Sequence, residues 1–251
     1  MTRSANHATT PDRTPGVPHP GSAPAVQLDE ARRARCYPIS RWWLRPAAGR
    51  LAALLAPTRV RPVHLTLCGL LLGCAAATTI LWRPEWSPLA AMLVLAAWFF
   101  DRADGQLARR QGTVSRWGAW LDANVDEALD VALHVALAAA AAARLGSPAP
   151  WLLLAAFLAG KHLFMYGLAT EEHVTGDRHK SRNHAGEAPQ PASRLRNAYH
   201  LPGNADVRVH VLAAALLTGW FLAELAFVAA YYNLRWIARY VLVARRLGVR
   251  P

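Results

Sequence analysis

The strongest constraint on this chain is a series of apolar stretches, each roughly 18–22 residues long, about the length a helix needs to cross a bilayer. They begin near Val63, Ser87, Trp117 and Pro150, and a last apolar region covers 207–243. Soluble helices rarely stay apolar on every face over such lengths. The predicted fold class is therefore an all-α integral membrane protein with six transmembrane helices, and a soluble helical bundle is the competing reading. The first four spans are placed at about Val63–Trp82, Ser87–Gln106, Trp117–Ala143 and Pro150–Ala169. The region Val207–Val243 is long enough for two, with Leu217-Thr-Gly-Trp220 as the turn. One long interrupted helix is the alternative there.

The chain is 53% hydrophobic and 18% charged, with a net charge of +12. The cations lie between the apolar segments and form no patch interleaved with aromatics. That placement suits anionic lipid headgroups and membrane orientation, and it argues against a nucleic-acid partner. Ten arginines precede or include Arg61, and further cations follow at Arg109, Arg110, Arg116, Arg178, Lys180, Arg182, Arg194, Arg196, Arg245, Arg246 and Arg250. The opposite side holds only Arg83 and Arg144. Both termini are expected in the cytoplasm, which requires an even number of spans. Trp82, Trp86 and Trp151 would form an aromatic belt on the far side.

Residues 1–36 are rich in Pro, Gly, Ser, Thr and Arg and are expected to be disordered. They hold no apolar core of the signal-peptide kind. Residues 37–57 are expected to form an amphipathic juxtamembrane helix, with Ser40 as a candidate cap and Arg41, Trp42, Trp43 and Arg45 at the interface. Residues 58–251 would be the six-helix membrane domain. The segment Thr170 to Ala205 is polar and reads as a loop, and its scattered His173, His179, His184 and His200 do not make a metal site. Cys36, Cys68 and Cys74 show neither disulfide nor zinc spacing and read as small buried hydrophobes.

Charged residues interrupt the apolar pattern at one place above all. Asp101, Asp104, Gly105 and Ala108 are spaced i, i+3, i+4, i+7 and share one helical face. Gly118, Asp122 and Asp126 share a face of the next helix. The short connection predicts antiparallel neighbours, with four carboxylates converging at the cytoplasmic edge. A single Asp at mid-membrane costs about 2.5–3.5 kcal/mol, less near an interface, and four also repel one another. Divalent cations remove both penalties. Carboxylates are the hard ligands that Mg²⁺ or Mn²⁺ prefers, and two bridged ions can hold a pyrophosphate.

The pattern Asp101-x-x-Asp104-Gly105-x-x-Ala108-Arg109, eight residues, then Gly118-x-x-x-Asp122-x-x-x-Asp126 resembles the signature of the CDP-alcohol phosphotransferases at all eight positions. The resemblance implies two Mg²⁺ or Mn²⁺ ions held by Asp101, Asp104, Asp122 and Asp126. It implies Asp126 as the general base that takes the acceptor's hydroxyl proton. It implies Gly105, Ala108 and Gly118 packed against the CDP moiety and Arg109 on its phosphate. The implied activity is transfer of a substituted phosphate from a CDP-linked donor, CDP-diacylglycerol first among them, to an alcohol, with release of CMP, in phospholipid biosynthesis. A homodimer at the cell membrane is implied as well. The family's Pro-Asn-x-x-Thr at the first span is matched here by Pro62 and Thr66, with Val63 in place of the Asn. Thr66 is thus a candidate at the nucleotide, and His64 is a possible substitute for the Asn or a structural residue. Glu127 stands where several branches carry Arg, Lys or Ser.

The acceptor would be a small polar alcohol or an alcohol phosphate. Candidate cations for the latter are Arg116, Lys161 and Arg208; pairing with Glu127 or Asp130 is the alternative role for Lys161. A CDP-inositol-type transferase is a neighbouring possibility. A transporter or proton channel is the reading from another class, since intramembrane carboxylates also mark ion paths. It predicts repeated halves and carboxylates at mid-membrane, and the sequence shows neither.

Overall fold

The structure is a computed structural model and describes residues 38–175 and 203–248. Among them it is all helical. In chain order the helices are α1 (Leu44–Leu55), α2 (Pro62–Trp82), α3 (Ser87–Gln111), α4 (Arg116–Leu145), α5 (Ala149–Thr175), α6 (Ala205–Thr218) and α7 (Phe221–Arg246), with one 3₁₀ turn at Pro84–Trp86. The expected tail at 1–36, Cys36, and the histidines His179, His184 and His200 lie outside the described residues.

Local chemistry sets the helix ends. Pro62 opens α2 at a position where its missing N–H is not needed. His64 Nδ1 accepts the backbone N–H of Arg61 at 3.2 Å, so this histidine finishes the helix start and has a structural role. Ser115 Oγ accepts from the Gly118 N–H at 3.0 Å and caps α4. Asn204 does the same for α6 through the Asp206 N–H. Gly219, at φ 74, closes α6 in the left-handed conformation that only glycine adopts without strain. The last apolar region is therefore two helices separated at 219–220, as the sequence suggested. The polar segment begins later than expected, because α5 continues to Thr175. Its last turns are held by Glu171, which binds Arg239 and Arg246 of α7.

Among the described residues, three helices are long and apolar enough to cross a membrane: Pro62–Trp82, Arg116–Leu145 and Ala149–Glu171. Helix α3 carries the Asp and Arg residues in its second half. Helix α6 has 14 residues, about 21 Å at 1.5 Å per residue. Cys68 and Cys74 lie exposed on α2, not buried as expected. In a helix of this composition an outward apolar face needs no protein partner.

The helices meet around one main core. Ile80, Val94, Leu137, Phe157, Leu216 and Leu225 are among its buried members. A smaller cluster joins α1 to α2 and α3 through Ala48, Ala52, Leu65, Ala103 and Leu107. Ser40 does not cap α1; Trp43 occupies that position without a side-chain cap bond. The Ser40 N–H is instead held by Asp206 at 2.9 Å, beside the Ile39 N–H at 2.7 Å. The same carboxylate accepts from Trp98 Nε1 at 3.2 Å, so one buried Asp ties the residues before α1 to α3 and α6.

The connection between α3 and α4 is four residues, 112–115, yet the two helices make no extended contact. Helix α4 packs chiefly on α2 and then on α5 and α7. A Cβ added at Gly73 of α2 would lie 2.5 Å from Leu129 Cδ2 of α4, which shows how closely these helices approach. The two helices face each other across a cavity that both line. At the other end of the bundle, Arg144 Nη2 donates to the Pro84 carbonyl at 2.9 Å and its guanidinium lies over Phe221. The exposed Trp82, Trp86, Trp151 and Trp220 belong to the turns at that end.

Candidate active site

The cavity between α3 and α4 has a volume of about 210 Å³. In its lining, Asp101 of α3 meets Asp122 and Asp126 of α4. One carboxylate oxygen from each lies within 4.8 Å of the others. Helical periodicity explains the α4 side, because Asp122 and Asp126 are one turn apart on the same face. Asp101 also accepts from Arg102 Nε at 2.6 Å, and Arg102 lies over the Trp98 ring at 4.0 Å.

Asp104 is buried one turn along α3 and lines the same cavity. It stands outside the close trio and takes a hydrogen bond from Thr66 Oγ1 at 2.6 Å. Thr66 therefore orients one of the four carboxylates from α2. The donor set fits a hard divalent cation: it is all oxygen, comes from two helices, and brings three carboxylates together.

The remaining signature residues lie on the other side of the aspartates. Gly105 and Ala108 follow Asp104 along α3, and Gly118 precedes Asp122 on α4, so all three flank the carboxylates on the side of the 112–115 connection. None of them lines the cavity, which runs the opposite way past Val94, Ala97 and Leu133. The Arg109 guanidinium folds back to within 3.6 Å of a Cβ built on Gly105.

Of the expected acceptor residues, Lys161 and Arg208 line the cavity and Arg116 does not. Arg116 is the exposed first residue of α4. Lys161 is buried and paired with Glu127 at 2.7 Å and with Asp130. Asp130 also binds Arg208. His134 Nε2 meets Glu224 Oε1 of α7 at 3.1 Å, and its Nδ1 meets the Asp130 backbone carbonyl at 2.6 Å. His134 and Glu224 were missed by the sequence reasoning. A signal for one existed: Gly118, Asp122, Asp126, Asp130 and His134 form an unbroken i, i+4 stripe. Glu224 carried none beyond being a charge within an apolar helix.

Comparison with known proteins gives the family. The profile of the family described as CDP-alcohol phosphatidyltransferase matches residues 59–189. The chain is 28% identical over 210 residues to the bifunctional IPC transferase and DIPP synthase of Aquifex aeolicus, covering 84% of this chain and 45% of that protein. It is 32% identical over 77 residues to the archaetidylinositol phosphate synthase of Pyrococcus horikoshii, covering 31% of this chain and 40% of that protein. The matched regions thus span less than half the length of either relative. A crystal structure of the phosphatidylinositol phosphate synthase of Mycobacterium tuberculosis with CDP-DAG bound is similar with a TM-score of 0.53. That likeness, at 22% identity over 78% of this chain and 93% of the other, is one of fold.

Proposed function

Because the chain belongs to the CDP-alcohol phosphatidyltransferase family, we propose that it transfers a substituted phosphate from a CDP-linked lipid, CDP-diacylglycerol, to the hydroxyl of a small polar alcohol, in phospholipid biosynthesis. The observation that carries this is the meeting of Asp101, Asp122 and Asp126 in the wall of a cavity, with oxygens within 4.8 Å.

Asp101, Asp122 and Asp126, with Asp104 oriented by Thr66, would hold two Mg²⁺ or Mn²⁺ ions. When bound, such ions neutralise the pyrophosphate and make its phosphorus more electrophilic. Gly105, Ala108 and Gly118 lack side chains that would block a nucleotide on the connection side, and Arg109 stands beside them for its phosphate. Asp126, facing the cavity, takes the acceptor's hydroxyl proton. An alcohol is a weak nucleophile at neutral pH, and a carboxylate within reach removes that obstacle. The acceptor oxygen then bonds to the lipid-linked phosphorus, and CMP leaves with the electrons of the broken P–O bond.

The membrane layout belongs to the same proposal. Helices α2 to α7 are the six spans, with α1 lying in the interface and its exposed Trp42 toward the headgroups. The arginine distribution places both termini and the aspartates on the cytoplasmic side, and the tryptophan-rich end on the other. The active unit is a homodimer.

The test is release of CMP from CDP-diacylglycerol by detergent-purified protein. Release is expected with Mg²⁺ or Mn²⁺ and a polyol or amino alcohol present, and is expected to stop with a chelator. Protein that binds no divalent cation and leaves CDP-diacylglycerol and soluble CDP-alcohols intact would refute the proposal.

A further inference from the structure

Beyond the clustered aspartates, the cavity wall carries a second set of charges, and it is balanced. Among the described residues its two cations are Lys161 and Arg208. Lys161, 7% exposed, is bound by both Glu127 and Asp130, and Arg208 is bound by Asp130. Two carboxylates therefore answer two cations.

The His134–Glu224 pair also sums to zero. His134 Nδ1 faces the Asp130 backbone carbonyl at 2.6 Å, and a carbonyl only accepts, so Nδ1 carries a hydrogen. Nε2 meets a Glu224 carboxyl oxygen at 3.1 Å. A hydrogen bond between those atoms needs a hydrogen on one of them. Whether it sits on the imidazole or the carboxyl, the pair has no net charge.

A phosphate monoester carries about −1.5 to −2 charges at pH 7. Set against this wall it would lie beside Glu127, Asp130 and Glu224, with both cations already bound. Burying a charge without an available counter-charge is strongly unfavourable. A neutral hydroxyl meets no such penalty, since it both donates to carboxylates and accepts from Lys or Arg. At about 210 Å³, the cavity is below the ~300–1,000 Å³ of drug-sized sites and suits a small molecule.

Resting on the transferase proposal, the geometry points to an acceptor alcohol that carries no phosphate: a neutral polyol, recognised between Lys161, Arg208, Glu127 and the His134–Glu224 pair. Its hydroxyl oxygen bonds to the lipid-linked phosphorus of the donor. The bond from that phosphorus to the CMP oxygen breaks, the hydroxyl proton passes to Asp126, and CMP departs with the electron pair. Two of the relatives above are named for inositol phosphate lipids, so this acceptor class departs from those names.

The experiment compares matched acceptors with CDP-diacylglycerol as donor: glycerol against glycerol phosphate, and inositol against inositol phosphate. Expected is a kcat/KM at least tenfold higher for a phosphate-free alcohol. Equal use, or preference for the ester, would overturn the inference. Inorganic phosphate is titrated in parallel into the wild type and Glu127→Gln, whose position is exposed enough to tolerate the change. The wild type is expected to show no binding at low millimolar phosphate, and the variant, with Lys161 partly released, is expected to bind at least tenfold more tightly. Sub-millimolar binding by the wild type, or no gain in the variant, would overturn the charge argument. If no alcohol releases CMP, the transferase proposal falls and the acceptor class with it. The phosphate titration then still decides whether the cations are compensated.

Discussion

Two carboxylates bind the same lysine, and burial predicts very different consequences for losing them. Asp130 is 17% exposed and holds Lys161 and Arg208 together, while Glu127 is 57% exposed and holds Lys161 alone. Asp130→Asn leaves two buried cations sharing a neutral amide. Breaking a buried ion pair by removing one partner costs about 3–5 kcal/mol. The lower end applies here, because the amide oxygen still accepts one hydrogen bond and Glu127 still faces Lys161. About 3 kcal/mol corresponds to a fall in Tm of roughly 6–12 °C, at ~2–4 °C per kcal/mol for a chain of this size. Glu127→Gln removes a solvent-screened partner, for which about 1 kcal/mol is an upper figure. Thermal unfolding in a fixed detergent, followed by tryptophan fluorescence, measures both. A third variant, Asp130→Asn with Arg208→Gln, removes one orphaned cation and is expected to recover about half the loss. Equal destabilisation by Asp130→Asn and Glu127→Gln would refute the reasoning, as would a double variant less stable than Asp130→Asn alone.

Other expectations concern the aspartates and the frame that holds them. Asp126→Asn is expected to abolish CMP release while divalent-cation and CDP binding persist; near-normal turnover would remove Asp126 as the base. Asp104→Ala should lower divalent affinity steeply, and Thr66→Val less so, because Thr66 supplies one hydrogen bond to a charged group, about 1.5–3 kcal/mol; unchanged metal titrations would take both out of the site. Asp206→Ala should lower Tm by at least as much as Asp130→Asn, since it frees the N–H groups of Ile39 and Ser40 and the Trp98 indole together; a silent variant would show that this tie does not stabilise the frame.

The sequence was most legible where the information is local. The positions of the helices, the break at Gly219 and the shared face of Asp122 and Asp126 all follow from helical period and residue chemistry, and the structure reproduces them. It was less legible where one helix must choose its neighbours. A four-residue connection marked α3 and α4 as neighbours, but it did not show that α4 packs chiefly on α2, where Gly73 admits Leu129. Chain connectivity limits how far apart two helices start, and side-chain volume decides which surfaces close.

The eight-position motif and its spacing pointed to the family and to the helix faces that carry the aspartates. Only the packed helices decided that Lys161 and Arg208 are compensated, that Asp104 leans on Thr66, and that His134 meets Glu224. The partners of those contacts stand 31 to 90 residues apart. Periodicity fixes the direction a side chain takes from its own helix. What it meets there depends on how other helices fill the space, and no spacing within a single segment encodes that.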